Sequence, residues 1–366
     1  MFHNSSASAW RYNGPPANPA VEPFHQSLPD YAVTPLVSLP ELARDLGLGH
    51  VLLKDESSRL GLPAFKILGA SWASYKAIAA ECDLPLTVSL EELGVAAREK
   101  NVKLVTCTEG NWGRAVARMA KYLQITAIIF VPNFMDQATQ QKIESEGAKV
   151  IVVDGDYDFS IAKARKEAET GGLLVMDVSW AGYEEIPEWV VEGYTTMLTE
   201  TDKQLQDLGI IGVSHAIASV GVGSWAQAVT MHYKSGNQSA PITIITVEPD
   251  TAACLKTSLE AGKLTPIATG HTIMNGMNCG TPSTTAWKVL KQGVDVSVIV
   301  SDLDVHHDLR YLHKQGIQNG PCGAAPLSAL KKLCKEKDNL GFNEKSVVVL
   351  FSTEGARDYI IPKEVQ

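Results

Sequence analysis

One lysine, Lys66, stands in an otherwise uncharged run of residues from Leu60 to Ala73. An ammonium group loses hydration when it is buried, so burial would lower the pKa of Lys66 and make its amine a better nucleophile. Such a lysine can condense with an aldehyde to form a Schiff base. The alternative is a lysine that extends into solvent from an amphipathic helix, which is the commoner situation for a lone lysine.

A second candidate is the turn Thr108-Glu109-Gly110-Asn111-Trp112-Gly113, which follows an apolar, strand-like run ending at Cys107. Ligands of open α/β sheets bind at the carboxyl ends of strands. Asn111 has a short amide that could donate to a phenolate-like oxygen. Alternatively, Thr108 or Asn111 caps the helix that follows. Both interpretations can hold, because a cap also fixes the position of the amide.

A glycine-containing turn, Ser219-Val220-Gly221-Val222-Gly223-Ser224, lies between another strand-like run and a predicted helix. Glycines let the backbone approach an anion closely, and a helix N-terminus offers oriented N–H groups and positive potential, so a phosphate monoester would fit. A Gly-x-Gly turn alone is as often a packing turn. Ala226 and Gln227 occupy the zone of a third glycine, which argues against a dinucleotide-dependent oxidoreductase.

The last predicted strand ends in Phe351-Ser352-Thr353-Glu354-Gly355. A neutral hydroxyl of Ser352 or Thr353 that faces a pyridine nitrogen would leave that nitrogen unprotonated, whereas a carboxylate would keep it a pyridinium. The alternative is a polar strand terminus without a ligand. Together, Lys66, the two turns and this hydroxyl pair could hold a phosphorylated pyridine aldehyde.

The elements that must position these residues alternate between short apolar runs and helical patterns. This alternation implies parallel strands joined by crossover helices. We expect an α/β fold of two domains, each with a twisted, mostly parallel sheet flanked by helices. The larger, phosphate-binding domain is expected at residues 1–68 and 200–366, and a smaller domain that could move at 69–199. The predicted strands are Lys103–Cys107, Ala127–Val131, Lys149–Val153, Leu173–Met176, His215–Ser219, Ile242–Val247, Val296–Val300 and Val347–Phe351.

Composition restricts the partners and the compartment. The chain has 366 residues, 45% of them hydrophobic and 20% charged, which are globular values. A net charge of −9 without long basic runs argues against nucleic acid and anionic membranes. Neither a membrane span nor a signal peptide is predicted. The six cysteines form no C-x-x-C pair, so we expect free thiols in the cytoplasm and no metal site.

Four segments, taken in order, resemble the fold-type II enzymes that use pyridoxal 5′-phosphate (PLP), the tryptophan synthase β-like superfamily. They are Ala64-Phe65-Lys66, residues 108–113, residues 220–223 and Ser352-Thr353-Glu354-Gly355. The likeness is most specific to the diaminopropionate ammonia-lyases. It extends to residues 54–57, 180–187 and 272–280, and covers nearly the whole chain after about Tyr31.

This resemblance implies a role for each matching residue. Lys66 would form the Schiff base with PLP, and Asn111 would bond the ring hydroxyl. Thr353, or less readily Ser352, would face the pyridine nitrogen. Glu109 takes the place of an aspartate that serves the family as a second base and permits use of the D-isomer, and its extra methylene moves the carboxylate by roughly one bond length. The phosphate would be bound by the backbone of Gly221, Val222, Gly223 and Ser224.

Departures from the family pattern concern the substrate side, for which Thr108, Gly110, Trp112 and Ala181 are candidates. Trp112 replaces the usual histidine, and Ala181 stands where an acidic residue is expected. Residues 316–323 also lack the Ser-Gly-Glu-Ser-Gly pattern. These changes are either neutral drift or signs of an altered substrate, because pocket residues set specificity on a shared fold.

The sequence therefore predicts a PLP-dependent lyase of the diaminopropionate ammonia-lyase type, expected as a homodimer. Lys66 would remove the α-proton of a small amino acid, and β-elimination would give a 2-oxo acid and ammonia. One alternative is a β-replacement synthase or an altered-substrate enzyme of the same fold. Another is a non-catalytic protein that binds PLP or a small molecule.

Overall fold

The computed structural model describes residues 1–155, 157–236, 241–336 and 340–363. Its strands are β1 (Phe2–His3), β2 (Leu36–Ser38), β3 (His50–Asp55), β4 (Lys103–Cys107), β5 (Thr126–Pro132), β6 (Lys149–Val153), β7 (Leu173–Leu174), β8 (His215–Ser219), β9 (Thr243–Pro249), β10 (Val296–Val300) and β11 (Val347–Ser352). The α-helices are α1 (Val21–Gln26), α2 (Pro40–Leu46), α3 (Lys66–Glu81), α4 (Leu90–Glu99), α5 (Asn111–Leu123), α6 (Gln137–Glu144), α7 (Tyr157–Ala168), α8 (Glu185–Gly193), α9 (Thr195–Asp207), α10 (Ser224–Tyr233), α11 (Cys254–Ala261), α12 (Thr284–Gly293), α13 (Asp302–Lys314) and α14 (Pro321–Glu336).

The chain divides into two compact units. The first unit contains residues 1–18, 32–65 and 195–366, and the second contains residues 19–31 and 66–194. The short helix α1 thus belongs to the second unit, although the sequence-based boundaries placed all of residues 1–68 in one domain. The reason is local packing: His25 Nε2 bonds the Leu68 carbonyl at 2.9 Å, and Phe24 lies against Trp72. The functional role and the mobility assigned to each domain stay predictions.

The first unit is built on a seven-stranded sheet with the order β1-β10-β9-β8-β11-β3-β2. Its inner strands pair in parallel, and the edge strands β1 and β2 are antiparallel. Every residue of β8 and β11 is buried. Such continuous apolar runs are typical of parallel sheets covered on both faces. The carboxyl end of β8 leads into the glycine turn at Gly221, and β11 ends at the hydroxyl pair Ser352 and Thr353.

The second unit is built on a four-stranded, all-parallel sheet with the order β6-β5-β4-β7. Helix α3, which begins at Lys66, is buried on most of its surface. A Cβ atom at Gly69 would lie 2.7 Å from the side chains of Tyr194 and Val190, so the glycine permits close contact between α3 and the segment around α8. The start of α3 is therefore rigidly supported within this unit.

The predicted fold class is confirmed, with parallel-rich sheets flanked by helices. Strands β4, β6, β8 and β10 have the predicted bounds, and β7 is shorter than expected. Helices α1, α8, α9 and α12 were not predicted. In α8, Pro187 and Gly193 look like breakers, but the proline sits in the first turn, where it is tolerated. In the parts of the chain that the structure describes, no helix combines the length and apolar character needed to cross a membrane.

Candidate active site

Lys66 is the first residue of α3 in the second unit, and its amine has a charged neighbour. Its Nζ donates to Asp177 Oδ2 at 2.6 Å, and the two side chains are 24% and 4% exposed. The uncharged surroundings of Lys66 in the sequence therefore do not persist in the folded chain. A carboxylate at this distance attracts the ammonium, and a hydrogen bond between charged groups is among the stronger ones in proteins. The Lys66 end of the pair is partly open to solvent, whereas the Asp177 end is buried.

Thr108 organises the turn between β4 and α5. Its hydroxyl oxygen accepts from Gly110 N at 2.9 Å and from Gly113 N at 3.0 Å. The side chain is buried, and a Cβ at Gly113 would lie 2.3 Å from its methyl group. The N-cap residue of α5 is Gly110, but the Thr108 hydroxyl accepts from the Gly113 N–H in the first turn of the helix, as a capping side chain does. Glu109, Gly110 and Asn111 are only partly buried, so this turn leaves them accessible at the carboxyl end of β4.

Trp112 is buried rather than exposed on the turn. Its Nε1 donates to Thr106 Oγ1 at 3.0 Å and to the Val175 carbonyl at 3.2 Å. The Lys66 Nζ lies 5.9 Å from the centroid of its ring. Of the sequence-predicted site residues, the structure thus brings Lys66 and Trp112 together. Ala181 is exposed, in a turn whose flanking rings, Trp180 and Tyr183, stack at 4.5 Å.

In the first unit, the glycine turn after β8 leads directly into the N-terminus of α10. A Cβ at Gly221 would lie 2.6 Å from the Gly276 carbonyl oxygen, so only glycine fits there. Gly223 has φ +95°, which favours glycine, and immediately precedes α10. The Val222 carbonyl accepts from Ser283 N at 2.8 Å, which fixes the turn. The main chain from Gly221 to Ser224 can therefore approach a phosphate at the N-terminus of α10.

The hydroxyl pair lies at the end of β11, and both side chains are buried. Among the described residues, the Ser352 hydroxyl has no hydrogen-bond partner. The Thr353 carbonyl accepts from Phe65 N at 3.4 Å. The Phe65 ring packs at 5.3 Å from Trp225, which is in the first turn of α10. The residue before Lys66 in the chain is thus held beside the Ser-Thr segment and the glycine turn.

Sequence reasoning missed two groups. The first is Asp177. It follows the apolar run Leu173–Met176, and a position at the carboxyl end of a parallel strand could have marked it as a candidate site residue. The other is a buried cluster of two cations and two carboxylates in the first unit, Lys54, Arg59, Glu56 and Glu200. In the described parts of the chain, no set of three or more His, Cys, Asp or Glu side chains is arranged to hold a metal ion.

Known proteins resemble the chain over most of its length. A family model described as pyridoxal-phosphate dependent enzyme matches residues 28–353. The chain belongs to this family. It is 34% identical over 353 residues to the diaminopropionate ammonia-lyase of Salmonella typhimurium, covering 91% of this chain and 87% of that protein. It is 32% identical over 356 residues to the Escherichia coli enzyme of that name, covering 93% and 89%.

A crystal structure of diaminopropionate ammonia-lyase from Escherichia coli in complex with D-serine superposes with a TM-score of 0.83. It shares 30% identity and covers 94% of this chain and 93% of that chain. The resemblance to fold-type II PLP enzymes is therefore confirmed, and so is the cofactor, PLP. The chain is a PLP-dependent lyase, and the non-catalytic alternative has no support.

Three features of the chain fit PLP. Packing against the Gly276 carbonyl requires glycine at position 221, and Gly223 immediately precedes α10, where main-chain N–H groups can bind a phosphate. The buried hydroxyl of Ser352, without a partner among the described residues, can serve a ring nitrogen or a group next to it. Lys66 supplies the primary amine that an aldehyde requires.

Proposed function

We propose that this chain is a diaminopropionate ammonia-lyase, a cytoplasmic homodimer that acts on a small amino acid. One molecule of 2,3-diaminopropionate and one of water would give pyruvate and two molecules of ammonia. The observation that carries the proposal is the Lys66 amine, 2.6 Å from the Asp177 carboxylate, in a chain 34% identical to a lyase of that name. The free state of all six cysteines supports a reducing compartment.

We assign four parts of the chain to the cofactor, PLP. We assign the phosphate to the main chain of Gly221, Val222, Gly223 and Ser224, because glycine is required at Gly221 and α10 begins there. Asn111 would donate to the ring oxygen, and Thr353 or Ser352 would face the ring nitrogen. Lys66 would bind the aldehyde carbon covalently. When bound, PLP supplies a conjugated ring that withdraws electrons from the α-carbon of the amino acid.

The proton transfers are assigned to Lys66 and Asp177. The free amine of Lys66 would accept the α-proton of the L-isomer. Asp177 holds the resulting ammonium at 2.6 Å and stabilises its charge. The β-amino group must gain a proton as it leaves, and the Lys66–Asp177 pair is the donor. A positioned acid–base group of this kind typically contributes about 10²- to 10⁴-fold to a rate.

Glu109 is proposed as the second base, which would remove the α-proton of the D-isomer. Its side chain is partly buried in the turn that Thr108 fixes, so the carboxylate is near a defined backbone but retains access to solvent. The Escherichia coli structure named above contains D-serine. This supports a role for a base on the second face of the substrate.

A second candidate is β-replacement or elimination on a different substrate. It is favoured by Ala181, an exposed apolar residue where the family carries an acid, since no charge at this position can attract a second substrate amine. Thr108, Gly110 and Trp112 remain candidates for contact with the substrate side. Under this alternative, serine or threonine would be the better substrate.

The experiment measures 2-oxo acid release from D- and L-2,3-diaminopropionate, L-serine and L-threonine. We expect pyruvate to form fastest from diaminopropionate, and Lys66→Ala to abolish its release. The exposed Lys263→Ala is the matched control and should keep full activity. Faster release from serine or threonine would establish the second candidate. No 2-oxo acid from any of them, with PLP bound, would refute both.

A further inference from the structure

Trp112 connects two parts of the second unit that bear on Lys66. Its indole N–H is shared between Thr106 Oγ1, at 3.0 Å, and the Val175 carbonyl, at 3.2 Å. Thr106 lies in β4, and Val175 continues from β7 with its own N–H bonded to the Val105 carbonyl at 2.8 Å. The indole therefore clamps the residue that comes two positions before Asp177.

Tyr183 grips the same segment through its hydroxyl group. The Tyr183 hydroxyl donates to the Leu174 carbonyl at 2.8 Å and accepts from Met176 N at 3.0 Å. Three consecutive residues, 174 to 176, are thus each bonded to the side chain of Trp112 or Tyr183. The position of Asp177 depends on these bonds, because its backbone is the next in the chain.

The same indole also faces the amine. Lys66 Nζ lies 5.9 Å from the ring centroid, within the range of a cation–π interaction. The carboxylate and the ammonium are 2.6 Å apart. Trp112 therefore acts on both groups: its N–H holds the backbone that leads to the carboxylate, and its ring contacts the ammonium. Histidine, the residue expected here from the family pattern, would donate only from one tautomer and would titrate near neutral pH.

We propose that Trp112 is a positioning residue that sets the distance between the Lys66 amine and the Asp177 carboxylate. Its N–H fixes the backbone that carries Asp177, and its ring supports the Lys66 ammonium. The substitution of an indole for an imidazole makes this support independent of pH. The inference rests on the proposed function, because it takes Lys66 as the reacting amine.

The pH measurement must take account of the other titratable groups in this segment. Asp177 pairs with Lys66, and Tyr183 interacts electrostatically with Asp177 and Cys107. Glu109, the proposed second base, is a further titratable group in the turn that leads to Trp112. Burial raises the pKa of the Tyr183 phenol well above its usual value, so it does not ionise in the working range. An indole does not ionise there either.

The test combines kinetics with a readout on the cofactor-free, full-length chain. Trinitrobenzenesulfonate modifies deprotonated amines, and mass spectrometry of the Lys66 peptide gives its modification rate at each pH. The variants are Trp112→Phe, which keeps a ring and loses the N–H, and Trp112→His. Trp189→Phe is the matched control, since Trp189 also lies under a lysine ammonium, with Lys76 Nζ at 4.8 Å.

We expect Trp112→Phe to move the midpoint of Lys66 modification to lower pH by roughly half a unit, because Asp177 is held less firmly without the indole N–H and a phenyl ring gives the ammonium a weaker cation–π contact. Its kcat should fall roughly 10- to 100-fold with KM within about twofold, as for a displaced catalytic group. Trp112→His should add an inflection near pH 6.5 to both profiles. Trp189→Phe should change neither.

An unchanged Lys66 midpoint and kcat in Trp112→Phe would overturn the proposal. So would a variant that only unfolds at a lower temperature, since that marks a merely structural tryptophan. The two proposals can be refuted separately. If the wild-type chain releases no 2-oxo acid but Trp112→Phe still shifts the midpoint of Lys66 modification, the assigned reaction is refuted and the positioning role of Trp112 is supported.

Discussion

Two lysines close together in the chain, Lys54 and Lys66, have opposite environments. Lys54, in the first unit, is fully buried and donates to Thr34 O at 2.8 Å, Glu200 Oε2 at 2.8 Å and Gln204 Oε1 at 2.9 Å. The Lys66 side chain, in the second unit, is 24% exposed and pairs with Asp177. Three hydrogen bonds use the full donor capacity of the Lys54 ammonium, which suits a structural group. An amine that reacts must be reachable and able to lose its proton.

The carboxylates that pair with these two lysines also differ: Glu200 has two buried cationic partners, and Asp177 pairs with the partly exposed Lys66. Glu200 lies between Lys54 and Arg59, and all these side chains are at most 1% exposed. Burial alone would raise the pKa of Glu200, but Arg59 and Lys54 outweigh it and hold the value at about 2. Burial also lowers the pKa of Lys54, although Glu200 and Glu56 oppose this change. A closed, neutral cluster stabilises the fold, whereas a partly open pair is available for chemistry.

The sharpest test exchanges each lysine for methionine. We expect Lys66→Met to reduce kcat/KM by at least about 10³-fold, because methionine has no amine to bind the aldehyde or to accept the α-proton, with a smaller fall in the unfolding midpoint than Lys54→Met causes. Lys54→Met should do the reverse: it should lower the unfolding midpoint and keep the activity per folded molecule. Steady-state rates and thermal unfolding measure both. Equal loss of activity in the two variants would remove the distinction between the two regions.

Glu200→Gln should destabilise the chain by about 3–5 kcal/mol, because Lys54 and Arg59 would be left buried without their carboxylate. Denaturant unfolding measures this, with the exposed Glu260→Gln as a control within about 0.5 kcal/mol. The pKa of Glu200 is lowered from 4.5 to about 2, so its contribution is present above pH 4.5 and is lost as the pH falls through 2. A variant as stable as the wild type at pH 7 would contradict this account.

Asp177→Asn should lower kcat/KM by about 10²-fold, because the amide cannot take the charge or the proton of Lys66. The unfolding midpoint should fall less than for Glu200→Gln, because Lys66 is 24% exposed and water can solvate its ammonium once the buried Asp177 carboxylate is replaced. Asp154→Asn is the control in the same unit, where Asp154 Oδ1 accepts from Asn133 Nδ2 at 2.9 Å on the surface. Full activity of Asp177→Asn would show that Asp177, like Glu200, has only a structural role.

The smallest expected effect concerns Glu248, a buried carboxylate that forms no salt bridge with the residues that the structure describes. Burial raises its pKa from 4.5 to about 7, although Leu255 N and Lys256 N donate to it. Its contribution to stability is present below pH 4.5 and lost as the pH rises through 7, the opposite of Glu200. We expect Glu248→Gln to reduce the fall in unfolding midpoint between pH 5 and pH 8 by roughly 2–4 °C.

Glu260→Gln, measured over the same pH range, is the control for Glu248. If the wild type loses no stability between pH 5 and pH 8, the carboxylate is ionised throughout. The two backbone donors would then outweigh burial, and Glu248 would behave like Glu200 without needing a cation.

Much of the fold and part of the site follow from local pattern. The apolar runs at residues 103–107 and 215–219 are strands with the predicted bounds, because a sheet covered on both faces needs continuous hydrophobic residues. The Gly221 turn was anticipated because a glycine after such a strand permits close approach of the backbone. Helix α8 escaped prediction because the breakers Pro187 and Gly193 lie inside it.

The partners of the charged side chains were beyond the reach of local pattern. Lys66 and Asp177 are 111 residues apart, and Lys54 and Glu200 are 146 apart. The charges of neighbouring residues in the sequence suggested the wrong lysine as the buried one. Lys54, next to Asp55 and Glu56, is more buried than Lys66, which stands in an uncharged run. Strands, turns and glycines are dictated by neighbours along the chain, through sterics and periodic burial. Which carboxylate meets which amine depends on how distant segments pack, and only the folded core decides that.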